Sequence, residues 1–161
     1  MSLGSVIAPH DHDEQPRVLL VDDDEVNLLL TSIALRERGF SITEASSGEQ
    51  AIHLLTEWLP DVVVLDLQIG SMGGMAVAMD LRLDATAGKP TDARILMLLD
   101  RRADLHLARR SAADAWLVKP LDPLALKRAV RDLLHPPAPA TEAAPADEAA
   151  PAAEEEVATA G

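Results

Sequence analysis

The stretch that most constrains the fold is a short apolar run that ends in a carboxylate. Residues 62–65 are three valines and a leucine, and they lead from Pro60 into Asp66 and a glycine-rich loop. A β-branched run bounded in this way predicts a strand that is buried on both faces. Such strands belong to parallel sheets covered by helices, whose functional groups lie at the carboxyl ends of the strands. Asp66 has that position, where a buried charge needs solvent, an ion partner or a metal.

Composition excludes several classes of function. The chain has 161 residues, no cysteine and a net charge of −13. The missing cysteines exclude disulfides, a thiolate metal site and a cysteine nucleophile. No apolar run reaches the roughly 18 residues of a membrane span, and the N-terminus lacks the layout of a signal peptide, so we expect no membrane partner and a cytoplasmic location. The acidic balance argues against a basic surface that binds nucleic acid.

The two ends of the chain differ in composition from its middle. Residues 1–15 carry three acidic residues and no basic one, and we expect a flexible leader there. Residues 136–161 are rich in Ala, Pro and Glu and carry six acidic residues and no basic one. Such a segment has too few large apolar residues to offset its ordering entropy, which predicts a disordered acidic tail. The folded part is therefore expected to span residues 16–135.

Between these ends, short apolar segments alternate with amphipathic ones. The predicted strands lie at 17–21, 40–44, 62–66, 95–99 and 115–118, and the predicted helices at 26–38, 47–58, 75–84, 103–111 and 123–134. Strict alternation predicts an α/β fold of the (βα)5 type, a doubly wound parallel sheet of five strands with helices on both faces. Asp24, Ser47 and Asp122 are expected to cap helices. In the first helix, the apolar stripe expected to face the core consists of Leu29, Leu30, Ile33, Ala34 and Leu35.

Charged residues follow several of the predicted strands. Asp22 and Asp23 follow the first strand, Asp66 ends the third, and Lys119 follows the fifth. Because the carboxyl ends of parallel strands share one edge, these side chains are expected to converge. Neighbouring carboxylates raise one another's pKa, and Mg²⁺ with oxygen ligands relieves that repulsion while leaving room for a phosphate oxygen. Together with the Lys119 ammonium, this set predicts phosphoryl transfer onto a carboxylate.

These motifs, in their order and spacing, resemble the receiver domain of two-component response regulators, whose fold is flavodoxin-like or CheY-like. The similarity covers residues 16–135 and rests on three pieces of sequence: Val21-Asp22-Asp23, Leu65-Asp66 and Lys119-Pro120. Each piece alone is a weak signal, whereas their combination in one order is specific. The resemblance also implies a glycine after the phosphoacceptor, at Gly74, and a cis peptide bond before Pro120.

The resemblance implies a role for each matching residue. Asp66 stands in the place of the phosphoacceptor, and Lys119 in the place of the lysine that pairs with the phosphoryl group. The implied Mg²⁺ ligands are the carboxylates of Asp22, Asp23 and Asp66 and the backbone carbonyl of Gln68. The implied phosphodonor is a sensor histidine kinase or a phosphotransfer protein.

Three residues expected to form the switch depart from the family pattern. The family has Ser or Thr at the end of the fourth strand, where this chain has Leu99 followed by Asp100. Leucine cannot donate a hydrogen bond, and Asp100 is expected to repel a phosphate. Trp116 takes the place of the switch aromatic, usually Tyr or Phe, and the segment from Leu99 to Lys119 is about two residues short.

Two functions of different class follow. The first is a stand-alone receiver phosphorylated on Asp66, without a DNA-binding domain and with no enzymatic activity beyond its own phosphorylation and dephosphorylation. Its output would be contact with an unknown downstream protein, or homodimerisation, through the face of the fourth helix, fifth strand and fifth helix. The second is a receiver-shaped interaction module that acts without phosphorylation, which Leu99 favours. A haloacid dehalogenase-like hydrolase ranks lower, because Gln68 stands where that class has a second Asp.

Overall fold

A computed structural model of the protein describes residues 15–70, 72–86, 92–111 and 113–136. Its strands are β1 (Arg17–Val21), β2 (Ser41–Ala45), β3 (Val62–Asp66), β4 (Arg94–Leu99) and β5 (Ala115–Val118). They form one sheet in the order β2-β1-β3-β4-β5, and every neighbouring pair is parallel. The predicted fold class is therefore confirmed. The leader and the acidic tail predicted for the two ends lie outside the described residues, except for residues 15 and 136.

The helices are α1 (Glu25–Arg36), α2 (Gly48–Trp58), α3 (Gly74–Thr86), α4 (Leu105–Arg110) and α5 (Pro123–Leu134). The main difference from the prediction lies at residues 103–111, where a 3₁₀ turn, Arg102–Asp104, precedes a shorter α4. The backbone N–H of Asp104 donates to the carbonyl of Arg101, 3.0 Å away and three residues back, which is the 3₁₀ pattern. The other boundaries differ from the prediction by a few residues, the usual scatter at helix and strand ends.

Two apolar layers enclose the sheet. Side chains alternate along a strand, so Val63 and Leu65 of β3 pack in the layer under α2 and α3, while Val62 and Val64 pack in the layer under α1 and α5. Every residue of β3 is buried. Burial of each such aliphatic side chain contributes about 1.5–3 kcal/mol, which explains why the central strand consists of β-branched residues and leucine.

The apolar stripe predicted for α1 was wrong for Leu29, Leu30 and Ile33, which are exposed, and is confirmed for Leu35, which is fully buried. The helix buries Leu28, Ser32 and Leu35. Ser32 tolerates burial because its hydroxyl accepts a hydrogen bond of 2.9 Å from the Nε of Arg36. Apolar residues occupy most of the circumference of α1, so their spacing alone does not select the inward face. Four large apolar side chains instead face solvent and are called the α1 patch here: Val26 (63% exposed), Leu29 (57%), Leu30 (61%) and Ile33 (45%).

Side-chain caps set where three helices begin. The carboxylate of Asp24 accepts the first free N–H groups of α1, that of Asp122 does so for α5, and the hydroxyl of Ser47 does so for α2. Each such cap contributes about 1 kcal/mol, and all three were predicted. The caps Asp24 and Asp122 start α1 and α5 at the sheet edge where β1 and β5 end.

Candidate functional site

In the sheet, β3 lies between β1 and β4, and β5 lies on the other side of β4. Because these strands are parallel, their carboxyl ends lie at one edge of the sheet. The register pairs Val21 with Leu65 and Leu99 with Val118, so these strands end level with one another. Charged residues at or just beyond these ends are Asp22, Asp66, Asp100 and Lys119.

Asp66 is the last residue of β3 and is only 2% exposed. One carboxylate oxygen, Oδ1, accepts a hydrogen bond of 2.7 Å from the backbone N–H of Gln68. The other, Oδ2, accepts from the ammonium of Lys119 in direct contact. The buried charge at the end of the central strand therefore has the cationic partner that its burial requires. The predicted meeting of Asp66 and Lys119 is confirmed by this contact.

Asp22 lies beside Asp66 and is also buried. Its Oδ1 accepts a hydrogen bond of 2.9 Å from the backbone N–H of Asp24. Burial raises the pKa of Asp22 to about 6, with a further rise from the charge of Asp66, although the Asp24 N–H and the Lys119 charge act in the opposite direction. Two buried carboxylates thus share one ammonium, so negative charge exceeds positive charge at this edge.

Asp23 has a different environment from its neighbour. It is exposed, and its Oδ2 accepts a hydrogen bond of 2.9 Å from the backbone N–H of Gly70. This bond joins the loop after β1 to the loop after β3. The second loop then folds back over the end of β3, where Gly74 is required: a Cβ on it would lie 2.1 Å from the carbonyl oxygen of Asp66.

The donor set suits a hard divalent cation in part. Asp22 and Asp66 offer crowded carboxylate oxygens whose repulsion a cation would relieve. None of the described residues donates a hydrogen bond to the carbonyl oxygen of Gln68. Within the described ranges, however, no three His, Cys, Asp or Glu side chains are arranged to hold a metal, and the Asp23 carboxylate accepts its hydrogen bond from Gly70. The metal-ligand roles of these residues stay predictions.

Lys119 has a second carboxylate partner. Its Nζ lies 3.1 Å from Oδ1 of Asp100, the residue that follows β4. Burial alone would lower the pKa of Lys119, but the hydrogen bonds and charges of Asp66 and Asp100 outweigh it and raise the pKa. Only repulsion of a phosphate is predicted for Asp100 from the sequence, and its pair with Lys119 is not, although an acid directly after β4 must lie at the same edge.

The other two predicted switch residues are also placed. Leu99 is fully buried in the apolar layer that includes Ala108 of α4, and it brings no hydroxyl to the site. Trp116 lies on β5 and is 36% exposed, with the guanidinium of Arg109 5.6 Å from its ring centroid. This cation–π contact, which the sequence did not reveal, favours the outward position of the indole. The switch role of both residues stays a prediction.

Comparison with known proteins identifies the family. The response regulator receiver domain family matches residues 18–131. The chain belongs to this family. The receiver is 37% identical over 117 residues to the DNA-binding response regulator MtrA of Mycobacterium tuberculosis, a match covering 71% of this chain and 49% of MtrA. It is 32% identical over 126 residues to the probable transcriptional regulator ycf27 of Guillardia theta, covering 77% and 47%. The chain thus spans about half the length of these relatives.

Solved structures share the fold of this receiver. The response regulator TrrA of Thermotoga maritima, in complex with Mg²⁺-BeF, is 30% identical with a TM-score of 0.67, covering 74% of this chain and 100% of TrrA. The chemotaxis protein CheY4 of Vibrio cholerae is 25% identical with the same TM-score, covering 74% and 99%. The resemblance expected from the sequence is therefore confirmed. Across the described part of the receiver, no helix has the length and apolarity needed to cross a membrane.

Proposed function

We propose that this receiver accepts a phosphoryl group on Asp66 from a phosphohistidine of a sensor histidine kinase or phosphotransfer protein. The observation that carries the proposal is the contact between the buried Asp66 carboxylate and Lys119, with the crowded carboxylate of Asp22 beside them. A carboxylate can serve as a nucleophile toward phosphorus when nearby cations neutralise the charge that develops.

In the proposed step, an oxygen of Asp66 attacks the phosphorus atom of the phosphohistidine. A P–O bond forms, the P–N bond breaks, and the imidazole nitrogen keeps the electron pair of the broken bond. Lys119 pairs with the phosphoryl oxygens, and the N–H of Gln68 fixes one carboxylate oxygen of Asp66. Water later cleaves the acyl phosphate, which releases inorganic phosphate and restores Asp66. The receiver acts on no other substrate.

Mg²⁺ fits the proposed reaction because the site has two buried carboxylates and one ammonium. We propose Asp22 and Asp66 as its ligands, joined by the Gln68 carbonyl and by Asp23 once its side chain leaves Gly70. When bound, the ion would supply positive charge to the phosphoryl oxygens. The relative TrrA is described in complex with Mg²⁺-BeF, which supports this proposal.

Intact-mass measurement after treatment with acetyl phosphate and Mg²⁺ tests the proposal. We expect an adduct of one phosphoryl group on the wild-type chain and none on Asp66→Asn. Asp132→Asn, which changes an exposed acid on α5, is the matched control and is expected to keep the adduct. A wild-type chain that gains no adduct, or an adduct that survives Asp66→Asn, would overturn the proposal.

The α1 patch is the surface that we propose for the phosphodonor protein. Any macromolecular donor must cover the area around Asp66, and α1 starts at the same edge of the sheet. A cavity of about 440 Å³ opens between α1 and α5 beside Lys119, and its lining includes Leu30, Ala34 and Leu126. Exposed apolar patches of this kind mark protein contacts.

We propose that the signal leaves through contact with a downstream protein, or through a homodimer, on the surface of α4, β5 and α5. The exposed Trp116 and the neighbouring Arg109 support this choice, because aromatic residues and arginine are enriched in protein interfaces.

We also propose that the receiver acts as a stand-alone protein and that it is located in the cytoplasm. The mass and fractionation of the endogenous protein, detected with an antibody, test both.

A second candidate is an interaction module that does not need phosphate. The buried Leu99, which has no hydroxyl, and the outward Trp116 under Arg109 favour it. Loss of cellular output in Asp66→Ala would exclude this candidate, whereas unchanged output would support it.

A further inference from the structure

The ammonium of Lys119 lies between two carboxylates, and the proposed reaction uses only one of them. Lys119 contacts Oδ2 of the buried Asp66 and lies 3.1 Å from Oδ1 of Asp100. The side chain of Asp100 is 46% exposed, whereas that of Lys119 is 22% exposed. Asp100 is therefore the partner on the solvent side, in the region through which a phosphoryl group must reach Asp66.

Asp100 begins a short segment in which residues 101–103 are exposed and Asp104 is buried. On its N-terminal side, Leu99 is buried, and its carbonyl accepts a hydrogen bond of 2.8 Å from the N–H of Lys119. On its C-terminal side, Arg101 pairs with Asp104 at 3.2 Å inside the 3₁₀ turn. We call residues 100–104 the β4–α4 segment. Among the described residues, the Asp100–Lys119 pair is the ion pair that joins this segment to another element.

We propose that Asp100 is a positioning residue that holds Lys119 before phosphorylation and is displaced when Asp66 carries a phosphoryl group. This inference rests on the proposed function. The phosphoryl oxygens form stronger charge-assisted bonds with the ammonium than a half-exposed carboxylate does. The new negative charge also repels Asp100, so the β4–α4 segment moves away from the site.

Such a displacement would take the place of a switch that depends on a Ser or Thr hydroxyl at the end of the fourth strand and on the switch aromatic. Leu99 cannot donate a hydrogen bond to a phosphoryl group, and Arg109 lies over the outward ring of Trp116. When Lys119 exchanges Asp100 for the phosphoryl group, phosphorylation is signalled through Asp100, the residue that follows Leu99 at the end of β4. The part of the surface that changes is then the start of α4, because the β4–α4 segment leads directly into that helix.

Beryllium fluoride with Mg²⁺, added to the full chain, serves as the probe of phosphoryl binding. Asp100→Asn keeps the shape of the side chain and removes its charge, so we expect its Kd for the probe to fall about tenfold. Asp100→Glu restores the charge, and we expect a Kd close to the wild-type value. The matched control is Glu25→Gln, which removes an exposed charge from the same edge without touching Lys119, with an expected change below about twofold.

Hydrogen–deuterium exchange provides the second readout. In the wild-type chain, the probe is expected to accelerate exchange in the β4–α4 segment. In Asp100→Asn, that segment is expected to exchange rapidly without the probe and to change little when it is added. A purely structural role of Asp100 would alter the stability of the chain but would not tighten binding of the probe.

The outcomes separate this inference from the proposed function. The inference is overturned if Asp100→Asn binds no tighter than Glu25→Gln, or if the wild-type segment does not respond to bound probe. If either result is obtained and the wild-type chain still forms the acetyl phosphate adduct, the role of Asp100 is rejected and the proposed phosphorylation of Asp66 is retained. If neither the wild type nor Asp100→Asn binds the probe and no adduct forms, both proposals fail. Binding by Asp100→Asn alone would also overturn the inference, because Asp100 would then exclude the phosphoryl group from the site instead of being displaced by it.

Discussion

At the scale of single residues, the site is governed by a shortage of positive charge. Asp22 and Asp66 are both buried, and Lys119 is the ammonium that contacts Asp66. A buried carboxylate that loses its cationic partner becomes strongly destabilising, because its desolvation is no longer compensated. The same imbalance would favour the binding of a cation at this edge, because a cation would offset the repulsion between the two carboxylates.

Removal of the Lys119 ammonium should therefore destabilise the metal-free receiver. We expect Lys119→Ala to lose about 3 kcal/mol of unfolding free energy in urea titrations, since Asp66 is left buried beside Asp22 without a counter-charge. Mg²⁺ should restore part of that loss. Lys127→Ala, on α5, is the control, with an expected change within about 0.5 kcal/mol. Equal losses in the two variants would contradict the charge argument.

Asp22 should make the stability of the metal-free receiver depend on pH. Its pKa is raised from 3.8 in the unfolded chain to about 6 in the folded one, mainly by burial. The folded state therefore binds the proton more tightly, and the stability contributed by Asp22 is lost as the pH rises from about 4 through about 6.

We accordingly expect Asp22→Asn to be more stable than the wild type by about 2 kcal/mol near pH 7, with the difference vanishing below about pH 4. Urea unfolding at several pH values without Mg²⁺ measures it. The exposed Asp23 provides the control variant, Asp23→Asn, for which no such crossover is expected. An advantage of Asp22→Asn that persists at low pH would contradict the prediction.

At the scale of elements, α1 carries apolar side chains on both its inner and its outer face. The inner face packs Leu28 and Leu35 against the sheet, and the outer face carries the α1 patch, which is the proposed docking surface for the donor protein. Substitutions on the two faces should therefore separate stability from function. Truncation of a buried leucine to alanine costs about 2–5 kcal/mol, whereas an exposed substitution usually changes stability by less than about 0.5 kcal/mol.

Leu30→Ser should slow phosphotransfer from an autophosphorylated sensor kinase about tenfold or more, because hot-spot side chains dominate protein interfaces. The rate with acetyl phosphate should not change, because that small donor needs no docking surface. Leu83→Ser, an equally exposed substitution on α3 (66% exposed), is the control. If both variants behave alike with the kinase, the α1 patch is not the donor surface.

At the scale of the whole molecule, the site is assembled from the ends of separate strands, so cation binding should be linked to folding of the entire domain. A ligand that binds only the folded state stabilises it by about 2.7 kcal/mol at 100 times its Kd. We expect Mg²⁺ to raise the thermal midpoint of the wild-type receiver in a concentration-dependent manner.

The same titration on Asp22→Asn combined with Asp66→Asn should show no Mg²⁺-dependent rise, since both buried carboxylate donors are gone. Differential scanning fluorimetry measures the effect, with Ca²⁺-free, chelator-treated samples as the metal-free reference. A rise of equal size in the double variant would place the cation elsewhere on the acidic surface.

Much of this architecture follows from the residue pattern. Short apolar runs predicted the strands, and their alternation with amphipathic segments predicted a parallel sheet covered by helices. Parallel strands end at one edge, so Asp66 and Lys119, 53 residues apart, were expected to meet. The helix caps at Asp24, Ser47 and Asp122 could also be predicted from the sequence, because capping depends on residues close together in the chain.

Other features required the three-dimensional structure, since they depend on which neighbours surround a side chain. The inward face of α1 was predicted only in part, because apolar residues surround the helix. Leu35 was expected there, whereas Leu28 and Ser32 were selected by packing in the tertiary structure. The partners of charged groups at the edge were equally undetermined. Backbone paths that bring Gly70 to Asp23 and Asp100 to Lys119 set those pairs, and no spacing in the chain encodes such distances.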